Sequence, residues 1–415
     1  MAEKYKKFSQ IEHVLARPGM YVGDTRCTTS ENWIIEENKA KCKEITWNPG
    51  IYKIFDEIIT NASDEVQRNS SVNCIKVNIN ADGSISIYNN SGIPVEIHPE
   101  YNVYIPELIF ANLLTSSNFD DTQTRTTGGL NGLGAKLTAI FSKQFKIETC
   151  KNGKMYKQTL SDNLSKIQKP KISESSEEYT KITFLPDYSK FGIDTLDENT
   201  KNVLIKRVYD ICAITPKTVN VYLNSKQLKI KDFSEYISMY IGDKKTCPRV
   251  ICEIKNWQIA LAPSDNGFQC VSFVNGINTF DGGTHVEHVI GPIIKKMCEI
   301  IQEKHKTLTI KPQYIRENLF LFMNCLIVNP TFSSQTKEKN ITKVSDFGSK
   351  FTASDDFIKS VLKLGIVDKI LLIAEAKEKK NVSKTDGKKT NRVIIPKLDE
   401  ANKAGGKISD ILLAA

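Results

Sequence analysis

The segment from Thr127 to Lys136 is suited to binding an anion. It holds four glycines between Gly128 and Gly134, and glycine lets backbone N–H groups come close to a phosphate. Where such a loop leads into a helix, the helix N-terminus adds its dipole. The segment is not a P-loop, because Lys136 does not directly follow the last glycine and no serine or threonine comes directly after it. The chemistry indicated is phosphate binding, but a glycine-rich loop alone is a weak indication.

A helix predicted over residues 50–68 carries a polar face. Glu57, Asn61 and Asp64 stand at positions i, i+4 and i+7, so all three project from one side of the helix. That side borders the apolar stripe that includes Ile58, and polar groups directed toward a core are costly unless they serve a purpose. A solvated helix edge is the alternative, and the helix by itself favours neither interpretation.

Three other segments place polar side chains where they could contact a nucleotide. The strand that ends at Asn89-Asn90 is followed by a glycine turn, and an amide there offers both a donor and an acceptor to a base edge. A plain Asn/Gly turn is the better interpretation of that segment alone. The run 115–118 precedes the glycine loop with side chains that can reach ribose or phosphate oxygens. The loop 329–338 is polar, and an exposed surface loop is its alternative interpretation.

The elements that must position these residues follow from the hydrophobic pattern. It predicts helices at 50–68, 104–114, from the glycine loop to 141, and at 284–304, 355–364 and 366–380. It predicts strands at 72–80, 84–89, on both sides of Asn152-Gly153, and at 250–254, 257–262, 268–274 and 319–328. The segment 161–178 is expected to be a surface excursion. We place a domain boundary near residue 245, which gives domains at 1–245 and 246–407 and an unassigned tail at 408–415.

Composition excludes two classes of protein. The chain has 415 residues, with 57 Lys plus Arg against 48 Asp plus Glu and a formal net charge of +9. Its longest apolar run, 319–328, is far shorter than the ~20 residues that cross a bilayer. The first seven residues carry charges with no apolar stretch behind them, so no secretory signal is expected. We therefore expect neither membrane insertion nor secretion.

The cysteines and histidines give no sign of a structural metal or of disulfides. Ten cysteines are scattered between Cys27 and Cys325, and without a signal peptide we expect them to be reduced thiols in the cytosol or nucleus. His285 and His288 have no cysteine near them in sequence, so we do not expect them to bind metal. The modest positive charge permits an acidic partner without establishing one.

Taken together and in this order, the four polar segments resemble the ATPase region of type IIA DNA topoisomerases, the eukaryotic-type enzymes in particular. That region belongs to a superfamily shared with gyrase, MutL, heat-shock chaperones and histidine kinases. The Glu/Asn helix and the glycine loop indicate the superfamily. Thr115-Ser116-Ser117-Asn118 and Gln335-Thr336-Lys337-Glu338 indicate the topoisomerases. The resemblance extends over nearly the whole chain, from Glu12 to Asn402.

The resemblance implies an α+β fold and a role for each candidate residue. The first domain would be a Bergerat-type ATPase sandwich, a mixed sheet with helices on one face, followed by a smaller α/β transducer domain. Glu57 matches the general base that activates water, Asn61 the side-chain ligand of Mg²⁺, and Asn89 the position that reads adenine. Asp64 is assigned to the same nucleotide site. Tyr5 matches a tyrosine in an N-terminal arm that reaches the partner protomer's nucleotide.

The remaining family positions fall in three segments that would contact ATP. The nucleotide-contacting triplet is matched by Ser116, Ser117 and Asn118. The loop that wraps the triphosphate as a lid is matched by Gly129, Leu130, Asn131, Gly132, Leu133, Gly134, Ala135 and Lys136. The second domain would reach the γ-phosphate through Gln335, Thr336 and Lys337. A lysine arriving from another domain would report whether that phosphate is present, so hydrolysis could move the domains.

Two departures from the family pattern stand out. Eukaryotic-type members usually have arginine in the glycine loop where this chain has Leu130, so one cation beside the phosphates is expected to be missing. The chain also stops soon after Gly405-Gly406, before the metal-binding acidic domain and the DNA-cleaving tyrosine domain expected downstream. We therefore expect a fragment that hydrolyses ATP but does not cut DNA.

The resemblance also implies a nucleotide-dependent homodimer that captures a DNA duplex. Lys304 and Lys306 lie where related enzymes have a lysine loop that faces this duplex. Their alternative is a helix C-terminus whose cations complement its dipole. The tail 376–407, with ten basic and four acidic residues, is a second candidate for DNA contact.

Two other functions compete with the topoisomerase reading. A MutL-like mismatch-repair ATPase shares the first domain, but the Gln335 to Glu338 motif argues against it. A DNA clamp that holds nucleotide without turnover is the alternative from a non-enzymatic class, and the presence of Glu57 argues against that.

Overall fold

A computed structural model of the protein describes residues 7–113, 115, 124–129, 132–230 and 232–385. Within these residues the helices are α1 Gln10–Ala16, α2 Pro49–Arg68, α3 Ile105–Ala111, α4 Gly134–Ile140, α5 Glu198–Ile214, α6 Phe233–Ile241, α7 Thr284–Lys304, α8 Pro312–Arg316, α9 Asp355–Leu362 and α10 Ile366–Thr385. None of these helices is long and apolar enough to cross a membrane.

The strands of the described residues form three sheets. A two-stranded hairpin pairs β1 Thr28–Glu36 with β2 Lys39–Trp47. The largest sheet contains β3 Cys74–Ile79, β4 Ile85–Asn89, β5 Ser142–Lys151, β6 Lys154–Ser161, β7 Lys166–Ile167, β8 Lys171–Glu174, β9 Tyr179–Pro186, β10 Asn220–Leu223 and β11 Lys226–Gln227. The third contains β12 Val250–Ile254, β13 Trp257–Pro263, β14 Gln269–Val274, β15 Ile277–Asn278 and β16 Leu319–Cys325.

The largest sheet is mixed, as the resemblance implies. The strand order is β11-β10-β3-β4-β9-β5-β6-β7, and β8 pairs with β6. Strand β10 runs parallel to β3, while the other strand pairs of this sheet are antiparallel. Helices α2, α4 and α5 pack over this sheet and share one apolar core with it. That core includes Ile54, Leu137, Leu204, Ile87 and Phe145. Burial of these side chains holds α2 in place above the sheet.

Helix α2 begins where its sequence provides a cap. The Oδ1 atom of Asn48 accepts the backbone N–H of Ile51 at 3.1 Å, and Pro49 occupies the first turn, where a missing N–H costs nothing. Because Ile51, Ile58 and their neighbours are buried against the sheet, the polar residues between them are drawn into the protein interior as well.

The third sheet has its own core and also packs against the first unit, which is the largest sheet with the helices α2, α4 and α5 that cover it. Its order is β12-β13-β16-β14-β15, and α7 to α10 bury residues such as Ile293, Phe347 and Ile358 with its strands. Helix α6 lies before residue 245 in sequence, yet its Phe233 and Tyr236 pack with Phe322 of β16. The boundary near residue 245 stays a prediction.

Most of the predicted elements are present in the structure, and the elements that were missed include two without a clear hydrophobic pattern. The helix at 284–304 has the predicted bounds, and the hairpin β3–β4 and the pair flanking Asn152-Gly153 are confirmed. The strand from residue 319 ends at Cys325, three residues before the predicted end. No pattern predicted the hairpin β1–β2 or helix α5. Most β1 side chains are not buried, and α5 turns Arg207 and Asp210 inward, so neither element shows clean hydrophobic periodicity.

Candidate active site

A cleft of about 400 Å³ opens beside α2, between the largest sheet and the glycine loop. Helices α2 and α3, the end of β4, strand β9, the glycine loop and the loop after β16 all contribute to its walls. The predicted residues that line it are Glu57, Asn61, Asn89, Gly129, Gly132, Leu133, Gly134, Ala135, Lys136, Gln335 and Lys337. The fold therefore brings together residues that are up to 280 positions apart in sequence.

Glu57 lies between two buried lysines at one end of this cleft. Its Oε1 atom is 2.6 Å from Nζ of Lys53 and 3.6 Å from Nζ of Lys337. All three side chains are buried. Burial alone would raise the pKa of Glu57, but the two ammonium groups together lower it to about 2. The carboxylate is thus ionised. Lys337, which comes from the loop after β16, contacts α2 through it.

Gly134 is needed because the Glu57 carboxylate lies directly against it. A Cβ atom at this position would stand 1.9 Å from Oε2 of Glu57, which is far inside van der Waals contact. Any side chain larger than hydrogen would displace the carboxylate. The last glycine of the loop therefore fixes where Glu57 can lie.

Lys136 is a buried cation in the same cleft. Its ammonium group donates to the backbone oxygens of Thr115 and Gly132, and its side chain is nearly inaccessible to solvent. Burial lowers the pKa of Lys136 to about 8. Carbonyl dipoles compensate a buried ammonium group only in part, so an anion placed in the cleft would stabilise it.

The two asparagines stand at different places along the cleft. Asn61 is the exposed member of the α2 polar face and lines the cleft. Asn89 ends β4 and is buried, with Oδ1 accepting the N–H of Ser91 at 3.0 Å. This local hydrogen bond holds the Asn89 side chain to the backbone, and Asn89 also lines the cleft.

Two predicted site residues do not line the cleft. Both carboxylate oxygens of Asp64 accept backbone N–H groups, from Gly128 and from Gly129, at 2.9 Å each. Asp64 therefore holds the start of the glycine loop. The hydroxyl of Thr336 pairs with Ser334 at 2.6 Å, and Thr336 borders a second cavity on the other side of α2.

The other predicted residues lie at the surface or outside the described part. Lys304 ends α7 and Lys306 follows in the next turn, and both are exposed. The residues outside the described ranges are Tyr5, Ser116, Ser117, Asn118, Leu130 and Asn131.

Sequence reasoning missed Lys53, which is as close to Glu57 as any group in the site. The spacing could have indicated it, because Lys53 and Glu57 are four residues apart on one helix and face the same way. A lysine in the first half of a predicted helix is usually solvated, so the pattern alone did not single it out. Its burial comes from the loop after β16, where the backbone oxygen of Thr336 accepts from Nζ of Lys53 at 3.4 Å.

Known proteins resemble this chain over most of its length. A family model described as DNA gyrase B matches residues 222–389. The DNA topoisomerase 2 of Candida albicans is 48% identical over 436 residues, which cover 98% of this chain and 30% of the relative. The DNA topoisomerase 2 of Drosophila melanogaster is 44% identical and has 29% of its length covered. The chain thus spans about a third of the length of the curated relatives it matches.

Solved structures match both the fold and the extent of the chain. The ATPase region of Saccharomyces cerevisiae topoisomerase II superposes with a TM-score of 0.86 at 42% identity, covering 90% of this chain and 100% of that one. The ATPase and transducer domains of DNA topoisomerase II from Balamuthia mandrillaris give 0.86 at 40% identity, with 91% and 99% covered. The chain therefore belongs to the type II DNA topoisomerase family and corresponds to the ATPase region of its members.

Proposed function

We propose that this chain is the ATP-hydrolysing gate of a type IIA DNA topoisomerase. The observation that carries the proposal is the meeting of Lys337 with Glu57 inside the cleft, because it joins the loop after β16 to the carboxylate that would activate water. Residues 1–245 would bind the nucleotide, and residues 246–407 would relay its state.

The two ends of the cleft suit the two ends of ATP. Ile58, Ile87 and Ile182 form an apolar wall near Asn89, where the base would stack and the amide would read adenine. The glycine loop and Lys136 also line the cleft, and their backbone N–H groups and ammonium group would hold the phosphates. Ser116, Ser117 and Asn118, just before that loop, would contact ribose and phosphate oxygens.

Asn61 would hold Mg²⁺ together with the phosphates of ATP. Its exposed amide oxygen is a ligand type that this hard cation prefers, and Mg²⁺ commonly takes few protein ligands when it binds with nucleotide. The described residues contain no group of three or more His, Cys, Asp or Glu side chains that would bind a metal by themselves. The ion would neutralise charge that develops on the phosphates.

The group of three side chains Lys53, Glu57 and Lys337 would allow the base to be activated only when ATP is bound. A carboxylate with a pKa of about 2 is a weak base. A γ-phosphate would attract Lys337, leave Glu57 with Lys53 alone, and so raise the pKa of Glu57 toward the range of a general base. Glu57 would then take a proton from the attacking water.

In the full-length protein we propose that ATP closes two copies of this region around a DNA duplex. The N-terminal arm with Tyr5 would be exchanged between the protomers, and hydrolysis would reopen the gate during strand passage. Such a role places the protein with DNA, in the nucleus or cytoplasm. The relatives named DNA topoisomerase 2 favour this role over a MutL-like repair ATPase.

Phosphate release from the purified chain tests the proposal and separates it from a clamp without turnover. Glu57→Gln should slow release by ~10²–10⁴-fold, because the general base is lost, while binding of a non-hydrolysable ATP analogue persists. Glu299→Gln, the same change at an exposed site on α7, is the control. Release that stays above half of the unsubstituted rate in Glu57→Gln would place the base elsewhere.

Lys337→Ala tests the coupling between the domains. We expect it to lose hydrolysis and analogue-induced dimerisation together, because one ammonium group would serve both the γ-phosphate and the contact between the domains. Lys339→Ala removes an exposed lysine of the same loop and should change neither. Size-exclusion chromatography with and without the analogue measures dimerisation, and normal dimerisation with lost hydrolysis would contradict the coupling.

A further inference from the structure

The turn between β14 and β15 enters the nucleotide-binding unit at the start of the glycine loop. Val274 pairs with Ile277, so the turn is the dipeptide Asn275-Gly276, and both residues have positive φ, 50° and 78°. These are the angles of a tight two-residue hairpin turn, for which Asn-Gly is the preferred sequence. Unlike most hairpin turns, this one is not at the surface, since Asn275 is completely buried.

The side chain of Asn275 bridges the end of β16 to the residue before the glycine loop. Its Nδ2 group donates to the backbone oxygen of Ile327 at 2.8 Å and to that of Thr127 at 3.4 Å. Its Oδ1 atom accepts the N–H of Ile327 at 2.7 Å. The Asn275 side chain thus connects two segments. One leads from β16 toward Lys337, and the other leads into the glycine loop.

The loop start is held from its other side by α2. Asp64 accepts the N–H groups of Gly128 and Gly129. A Cβ atom on Gly128 would lie 3.1 Å from the backbone oxygen of Asn275 and 2.9 Å from Cγ1 of Ile277, so the two backbones are in direct contact. Residues 127–129 therefore lie between α2 and the Asn275-Gly276 turn.

A second buried contact fixes the same turn to the helix that carries Glu57. The backbone oxygen of Gly276 accepts from Nη2 of Arg207 at 2.6 Å, and Nε of Arg207 donates to Asp56 at 2.6 Å. Arg207 and Asp56 are both buried, so this connection is shielded from solvent and from salt. The turn thus touches both the loop and, through Arg207, the residue next to the general base.

We propose that Asn275 is a positioning residue for ATP binding, which fixes the start of the glycine loop relative to the end of β16. Glycine-rich segments lose much conformational entropy when they become ordered. If the start of the loop is already ordered in the free protein, nucleotide binding has to offset less of this entropy loss. The inference rests on the proposed function, since it concerns the loop that would wrap the triphosphate. Through Asn275, the start of the glycine loop would be tied to the third sheet by a contact separate from that of Lys337.

Asn275→Gly tests this role, because glycine keeps the positive φ of the turn and removes only the side chain. We expect the KM for ATP to rise about tenfold, since one hydrogen bond that orders the loop is worth on the order of a factor of ten. The kcat should stay within about twofold, because the bound nucleotide completes the ordering. Hydrogen exchange of residues 127–129 should be faster without nucleotide and should be slowed by a non-hydrolysable analogue.

Asn152→Gly is the matched control. Asn152-Gly153 is the same dipeptide in a two-residue turn between β5 and β6, with φ of 52° and 78°, but it is exposed. If Asn275 only stabilises the fold, the midpoint of unfolding should fall in both variants without a rise in the KM for ATP. An unchanged KM with unchanged exchange at residues 127–129 in Asn275→Gly would overturn the proposal.

Asn275→Asp provides a second test if the glycine variant does not fold. It keeps the acceptor for the N–H of Ile327 and loses the donor to the backbone oxygens of Thr127 and Ile327. It should therefore show the same rise in KM, and a KM equal to that of the unsubstituted chain would overturn the proposal. Failure of the proposed function is distinguishable, because in that case the unsubstituted chain would neither release phosphate nor bind the analogue.

Discussion

Glu57 and Lys136 show how burial changes the chemistry of single residues in this cleft. Glu57 stays ionised in the interior because Lys53 and Lys337 flank it, whereas Lys136 has only carbonyl oxygens as described partners. The surroundings of Glu57 therefore favour its charged form, whereas the surroundings of Lys136 disfavour its charged form. A bound triphosphate would relieve both conditions, since it would attract Lys337 and pair with Lys136.

The depressed pKa of Lys136 predicts that nucleotide affinity falls as the solution becomes alkaline. Below about pH 8 the ammonium group is charged and ready for a phosphate. Above that value the free protein loses the proton and must take it up again on binding, so affinity should fall by up to about tenfold per pH unit. Analogue binding measured from about pH 7.5 to about pH 9.5 by calorimetry checks this.

Lys136→Arg is the control for that titration, because a guanidinium group stays charged throughout the range. Its affinity should not depend on pH in the same way. Parallel pH profiles for the unsubstituted chain and the arginine variant would show that Lys136 is not the titrating group.

At the scale of elements, α2 is the helix on which the site depends, and Asn48 anchors its first turn. Besides capping the helix, its Nδ2 group donates to the backbone oxygens of Thr25 at 2.9 Å and Phe191 at 3.0 Å. The residue is completely buried. One side chain therefore connects the start of α2 to two other segments of the first unit.

Asn48→Ala should lower the free energy of unfolding by about 2–4 kcal/mol. Losing the cap costs about 1 kcal/mol, and leaving two buried carbonyl oxygens without donors costs about as much again for each. Ser354→Ala removes the single side-chain cap of α9 and should cost only about 1 kcal/mol. Urea denaturation of both variants measures the difference, and equal losses would mean that the two extra hydrogen bonds contribute nothing.

At the scale of the whole molecule, the exposed end of α7 is the proposed contact with captured DNA. Lys304 and Lys306 would neutralise phosphates without reading sequence. Replacing both with alanine should reduce the salt slope of duplex binding by about 1.8, since each phosphate contact contributes about 0.9. Basal hydrolysis should not change, because neither residue lines the cleft.

The matched control is Lys143→Ala with Lys146→Ala, which removes the same charge from exposed positions on β5. Binding of linear duplex across a salt series compares the two double variants. If the Lys304 and Lys306 variant keeps the original slope, these lysines only complement the helix dipole, and the tail 376–407 becomes the candidate for DNA contact.

The family, the order of the main elements and eleven of the residues that line the cleft follow from the sequence alone. Those conclusions rest on local features: four polar segments of specific composition, a 3.6-residue period in α2 and α7, and a two-residue period around Ala81-Asp82-Gly83. Local spacing is enough for them because helices and hairpins form between residues that are near in sequence.

Only the tertiary structure decided which polar residues face the cleft and which act behind it. Asp64 shares a helix face with Glu57 and Asn61, yet it holds the loop start, because residues 128 and 129 lie over that end of α2. Lys53, Arg207 and Asn275 become buried partners of the site only when the third sheet and the loop after β16 dock on the first unit. The contacts of Arg207 with Gly276 and of Asn275 with Thr127 join residues 69 and 148 positions apart, and sequence spacing does not specify that they meet.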